Sequence, residues 1–396
     1  MKLTTKGASK HGSTLTYTIL CLCITFSSSL IIPVLSLYLT DVLKYNSFQV
    51  SFVFVILPLL TIICIQFFGK LSDGILQRPV IITISCIFGI ISPIFLAIKP
   101  DFIYFCTIGF IVLSLYPIAY PQIFASAREF SLKYMASSVM YTTFLRALVS
   151  LSWSFGPPIA FFIATGYSFN SLFATCAIAY AIATFLTFFY LPHIPMDMTD
   201  TKISQKPNDF VWYKDKQVIL LFIATVLMFT AFSAYIISMP LYLTKELQAD
   251  PKLPGLILGL AAFTEIPLMF ISARMVKKIG LKILVIFGAY MLVFYLTALL
   301  FATTTFELLA IQILSATFIA LVSNLGMILF QELLSSIPGQ ATSFYINACT
   351  AGQILGGAMI SLSAFFSYKA IYIVGIILSI IACIVLHKIK QPNAKI

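Results

Sequence analysis

The sequence predicts an all-α integral membrane protein, with twelve transmembrane helices in two pseudo-symmetric six-helix bundles. Three observations predict it. The 396 residues are 60% apolar and only 9% charged, against roughly 45–50% and about 25% in soluble domains. Mean hydropathy is +1.03. The apolar residues fall into twelve runs, each near the ~20 residues a helix needs to cross a bilayer.

The first run, 15–40, follows Lys2, Lys6 and Lys10, much as in a signal peptide. It is too long for the apolar core of one and lacks a small-residue cleavage site, so it is expected to remain as span 1. Spans 2 to 6 are expected at 48–69, 79–98, 102–124, 137–164 and 168–191. A polar, basic stretch at 192–217 then separates a first bundle, 1–191, from a second, 218–396. Spans 7 to 12 are expected at 218–243, 253–276, 283–303, 306–330, 340–366 and 370–387. With the N-terminus inside, 18 Lys and Arg fall in cytoplasmic segments and 5 in outer loops. Lys and Arg collect on the cytoplasmic side, so both termini and the 192–217 linker are expected there.

The halves look related. Leu37-Tyr38-Leu39-Thr40 closes span 1 and Leu241-Tyr242-Leu243-Thr244 closes span 7, an offset of 204. The same offset lays the loop Gly69–Arg78 over the loop Ala273–Lys282.

Several function classes drop out. The net charge of +11 is scattered between apolar runs, which marks topology and not a nucleic-acid partner. All eight cysteines lie in apolar stretches and read as small buried hydrophobes; Cys21 and Cys23 have no second cluster or nearby His, so no metal site is expected. His11, His193 and His387 sit at loops or termini, and no phosphate-binding G-x-x-x-x-G-K-[ST] occurs. No enzyme, cofactor or ATP dependence is expected.

What chemistry remains is sparse. A charge near the bilayer centre is costly and usually functional. Arg146 in span 5 and Glu265 in span 8 both fall near the midplane. They read either as a fixed ion pair or as a substrate and proton site. Arg stays charged, whereas a carboxyl in apolar surroundings can exchange a proton near neutrality, so Glu265 is the candidate proton carrier. Arg146, Ser150, Trp153 and Pro157 share one helical face, on which Arg and Ser can bond hydroxyls and the indole can stack on a sugar ring. Gly156-Pro157-Pro158 reads as a hinge or a fitted kink. Asn347, Thr350 and Gln353 in span 11, Gln312 and Asn324 in span 10, and Tyr116, Tyr120 and Gln122 in span 4 either line a cavity or bridge helices. Gly352-x-x-x-Gly356-Gly357 reads as close helix packing, and Asp41 as a solvated charge.

The loop Gly69-Lys70-Leu71-Ser72-Asp73-Gly74-Ile75-Leu76-Gln77-Arg78 resembles the major facilitator signature G-x-x-x-D-[RK]-x-G-[RK]-[RK]. Gly69, Asp73 and Arg78 match; Gly74, Leu76 and Gln77 depart. Two six-span halves with a midplane site are how such transporters are built. The resemblance implies that helices 5 and 8 face each other, and that Asp73 helps latch the cytoplasmic gate with Arg128 as partner. The stretch Pro121–Glu129, then Arg146–Trp153, Gly156-Pro157-Pro158 and Gly166–Phe169 are similar to the sugar efflux branch of that superfamily. That likeness implies export of sugars or glycosides across the inner membrane, with proton antiport the energy source. A proton-coupled multidrug exporter is the alternative. The expected site is thus Arg146, Ser150, Trp153, Glu265, Asn347 and Gln353 for substrate, with gating by Gly69, Asp73, Arg78, Arg128, Glu129, Gly156 and Pro157. A monomer in the lipid bilayer is expected, with substrate and protons as its only partners.

Overall fold

The computed structural model describes residues 10–74, 76–135, 138–192, 215–334 and 338–389. Among them are no strands and twelve long helical segments, numbered here in chain order. They are α1 (Gly12–Val42), α2 (Ser47–Gly74), α3 (Arg78–Ala97), α4 (Phe102–Tyr134), α5 (Ser138–Gly166) and α6 (Phe169–Tyr190). Then come α7 (Lys216–Glu246), α8 (Leu253–Ile279), α9 (Leu281–Phe301), α10 (Thr305–Leu333), α11 (Pro338–Met359) and α12 (Tyr368–His387). Each expected span meets its own helix. α4 runs about three turns past the expected end, carrying the polar stretch Ala125–Tyr134 as continuous helix. Eleven of the twelve are apolar enough to cross a membrane by length and composition. α11 falls short because Gln340, Thr342, Ser343, Asn347, Thr350 and Gln353 dilute it. The chain is a multi-pass membrane protein. Most of the expected linker, residues 193–214, lies outside the described residues.

The chain forms two compact units. One comprises Met1–Ile32, Leu59–Gly156 and Tyr167–Val211; the other Pro33–Pro58, Pro157–Gly166 and Trp212–Ile396. α1, α2 and α5 each change unit at a proline: Pro33, Pro58 and Pro157. Proline removes a backbone donor and is tolerated in membrane helices where neighbours supply the lost contacts. α5 stays helical through Pro157 and Pro158.

Within the first unit the helices approach through small residues, the usual device where lipid offers no hydrophobic drive. Gly89 of α3 lies against the ring of Tyr180 on α6, and Gly156 of α5 against Ser29 of α1. In the second unit, Gly352 and Gly356 let α11 settle on the α7 backbone, where added methyls would sit 2.6 Å from Phe229 and 2.8 Å from Ala234. The expected packing role of that motif is what the structure shows. Gly357 meets the Phe54 carbonyl of α2 just as closely, and Gly255 of α8 meets that of Pro157.

Candidate functional site

α5 presents three faces. Leu145, Ser152 and Gly156 are buried against α1, where the Cys21 thiol donates to the Leu145 carbonyl at 3.7 Å and the Thr25 and Ser152 hydroxyls pair at 2.9 Å. Phe144, Leu151 and Phe155 form an exposed apolar face suited to lipid. At about 100° per residue, Arg146 lies roughly 140–180° from those three residues. Arg146 is exposed, and Ser150 and Trp153 beside it are half-buried. The guanidinium is therefore open without pointing where the lipid-facing phenyl rings point. Tyr120 of α4 lies within electrostatic reach of it.

α8 repeats that arrangement with the opposite charge. Leu256, Phe263 and Phe270 are exposed, and Glu265 lies roughly 140–180° round the helix from them by the same periodicity. Glu265 is half-buried, with the short Ala261 and Ala262 on its own side. Tyr345 of α11 is within electrostatic reach of it and donates its hydroxyl to the Ser323 carbonyl at 2.8 Å. Arg146 belongs to one compact unit and Glu265 to the other.

Asn347 and Gln353 on α11 are both exposed, but about 120° apart round the helix. The other polar candidates split. Gln312 bridges helices, donating to the Tyr295 hydroxyl at 3.2 Å and the Leu308 carbonyl at 2.8 Å. Tyr116 is buried against the Tyr180 ring at 5.9 Å. Gln122 is buried in a network at the α2–α3 loop. There Arg78 meets Glu129 at 2.7 Å and donates to the Ser72 hydroxyl at 3.0 Å and the Gln122 carbonyl oxygen at 3.1 Å. The Ser72 hydroxyl in turn donates to the Gly69 carbonyl at 2.6 Å, and Gln122 donates to Ser72 at 3.3 Å. Gly69, Arg78 and Glu129 thus come together. Arg128 is exposed, and the Asp73 side chain lies outside the described residues. Ser72 was not a sequence candidate; its position inside the signature loop was the available signal.

Asp41 is a correction. It is not merely solvated: its carboxylate meets Lys245 Nζ at 2.9 Å. Hydropathy and helical periodicity do not say that the ends of α1 and α7 meet.

Comparison with known proteins fits this geometry. The Major Facilitator Superfamily pattern matches residues 17–212 and 221–396. Sugar efflux transporter C of Escherichia coli (strain K12) is 32% identical over 362 residues, 91% of this chain and 91% of that one. Sugar efflux transporter A of Dickeya chrysanthemi is 30% identical, covering 92% of each chain. Among solved structures, the nucleoside transporter NupG superposes with a TM-score of 0.79 at 14% identity, covering 95% of this chain and 98% of that one; such a likeness speaks for the fold alone. The relatives are transporters. By pattern, length and identity together, this chain belongs to the Major Facilitator Superfamily, in its sugar efflux transporter branch.

Proposed function

We propose that the chain is a secondary active transporter, not an enzyme, which exports sugars or glycosides across the inner membrane by alternating access in exchange for protons. The observation that carries the reading is the likeness to sugar efflux transporters across nine-tenths of the chain. The α5 face supplies chemistry that such a cargo needs. A guanidinium presents donors in a fixed fork to sugar hydroxyls, Ser150 adds a hydroxyl, and Trp153 offers an apolar plate.

Glu265 is the proton carrier in this reading. A carboxylate within a bilayer is costly unless partnered. It therefore takes up a proton when its partner leaves and gives it up when a cation or donor returns. Arg146 cannot do this, because a guanidinium does not deprotonate in proteins. Asn347 and Gln353 add donors and acceptors, Pro157 a point of bending. Both termini and the 192–217 linker lie in the cytoplasm, following the distribution of Lys and Arg, and the working unit is a monomer.

The test uses purified protein in liposomes with an acidic lumen and labelled lactose or a simple glucoside outside. Gradient-driven uptake that is lost in Arg146→Ala supports both sugar–proton exchange and the site. Movement of a lipophilic cationic dye, with no sugar flux, replaces this reading with a multidrug exporter.

A further inference from the structure

The ends of α1 and α7 are built alike. Each identical tetrapeptide runs into a widened π turn, Tyr38–Val42 in one and Tyr242–Glu246 in the other. Each turn is closed by matching bonds: Leu43 N–H to the Tyr38 carbonyl at 3.1 Å and Leu247 N–H to that of Tyr242 at 3.1 Å. Tyr45 N–H to Leu39 and Ala249 N–H to Leu243 follow, both at 2.9 Å. Each ends in a left-handed residue, Lys44 at φ 58° and Gln248 at φ 50°, and these too are 204 apart. At the equivalent position of each turn stands a charge, Asp41 in one and Lys245 in the other, and the two meet at 2.9 Å.

We propose that Asp41 and Lys245 form a clasp which closes the exit of the transport path and must part in every cycle. The inference rests on the orientation proposed above, in which both turns face outward. The backbone argument is likeness: the two turns are copies of one motif, and the charges at their equivalent positions meet each other. Identical charges there would repel and hold the ends apart. Opposite charges on otherwise matching turns hold them together. Both side chains are well exposed, at 37% for Lys245 and 43% for Asp41, so water screens the pair and it can be broken repeatedly.

Neighbouring contacts draw in the same ends. The Ser363 hydroxyl donates to that of Ser47 at 2.9 Å, Ser51 donates to the Ala358 carbonyl at 3.2 Å, and Tyr368 N–H donates to Glu246. A cavity of about 420 Å³, lined by Thr40, Tyr45, Asn46, Lys245 and Tyr368 among others, opens beside the pair and gives water access to it. Below the clasp, Ser36 is buried where Leu35–Leu37 rests on α7, so separation of α1 from α7 uncovers it.

The experiment reads that separation without any substrate, so it stands apart from the sugar assay. Ser36→Cys is introduced alone, with Asp41→Lys, and with the exchanged pair Asp41→Lys and Lys245→Asp. Maleimide labelling of that cysteine is followed by peptide mass in detergent, where both faces are reachable. Labelling is expected to rise at least about tenfold with Asp41→Lys, since two cations then face each other, and to return toward the slow rate with the exchanged pair. Such recovery also shows that the single change did not simply unfold the protein. Equal labelling in all three proteins, or no recovery on exchange, overturns the clasp. A separate arm labels Tyr167→Cys, in the exposed α5–α6 connection, with an impermeant maleimide in intact cells. Failure there places the clasp on the cytoplasmic face and overturns its role in closing the exit.

Discussion

Arg78 and Glu129, 51 residues apart, meet at 2.7 Å with side chains only 14% and 28% exposed. The pair ties the α2–α3 loop to the end of α4, and Ser72 and Gln122 share the guanidinium. Glu129→Gln leaves those two bonds in place while removing the countercharge. Partial exposure discounts the loss, and about 1–2 kcal/mol is expected, between the values for surface and buried pairs. Thermal unfolding in detergent, compared with Arg128→Gln at an exposed neighbour, checks it; the neighbour is expected to shift little.

Gly156→Ala sets two effects against each other. Alanine in place of a helical glycine gains about 1 kcal/mol of intrinsic propensity. Its methyl falls on the Ser29 side chain, an overlap of the kind that costs about 1–3 kcal/mol. Net destabilisation is expected. Adding Ser29→Gly removes the obstructing atoms and moves the glycine to the other helix, so the double variant should recover most of the loss. Unfolding temperatures of the three proteins decide the matter, and no recovery would mean that Gly156 serves bending instead of packing.

Arg146→Ala should reduce sugar flux to background, with folding and membrane insertion retained, because the side chain is exposed. Arg146→Lys keeps the charge but loses the planar fork. It should transport at least tenfold more weakly than the unaltered protein, chiefly through a raised KM. Wild-type flux in either variant sinks the assignment.

Glu265→Gln should uncouple sugar movement from the pH gradient while leaving sugar exchange at equal pH measurable, since the amide keeps the shape and cannot carry a proton. Flux measured against external pH in liposomes should go flat. A slope that survives would place the coupling group elsewhere.

The twelve helices were readable from hydropathy because lipid enforces one rule on every span: backbone groups must be satisfied within it. Arg146 and Glu265 stood out for the same reason, as charges where charges are expensive. Lateral relationships were not readable. Gln122 reads from sequence as either a cavity residue or a bridge, and the structure gives it to the Arg78 network. Asp41 looked solvated and proved to meet Lys245. Hydropathy places a residue by depth and periodicity places it on a face, but neither says which helix lies beside that face. The internal repeat held more than was taken from it. Its offset of 204 aligns Asp41 with Lys245, and in the structure these two aligned positions meet at 2.9 Å.

α11 is the helix whose polar residues keep it below the hydropathy of a self-sufficient span, and it is also the one whose Gly352 and Gly356 seat it on the backbone of α7. During synthesis, a segment of this kind partitions poorly from the insertion machinery into lipid by itself. In the folded protein α7 supplies the surface it lacks in lipid, with Phe229 and Ala234 against its glycines, so by this argument α7 must stand in the membrane first. The order of the helices along the chain provides for this, because α7 emerges more than a hundred residues earlier. The same polarity that places Asn347 and Gln353 in the proposed sugar site thus makes α11 the late, dependent arrival in the protein's biogenesis.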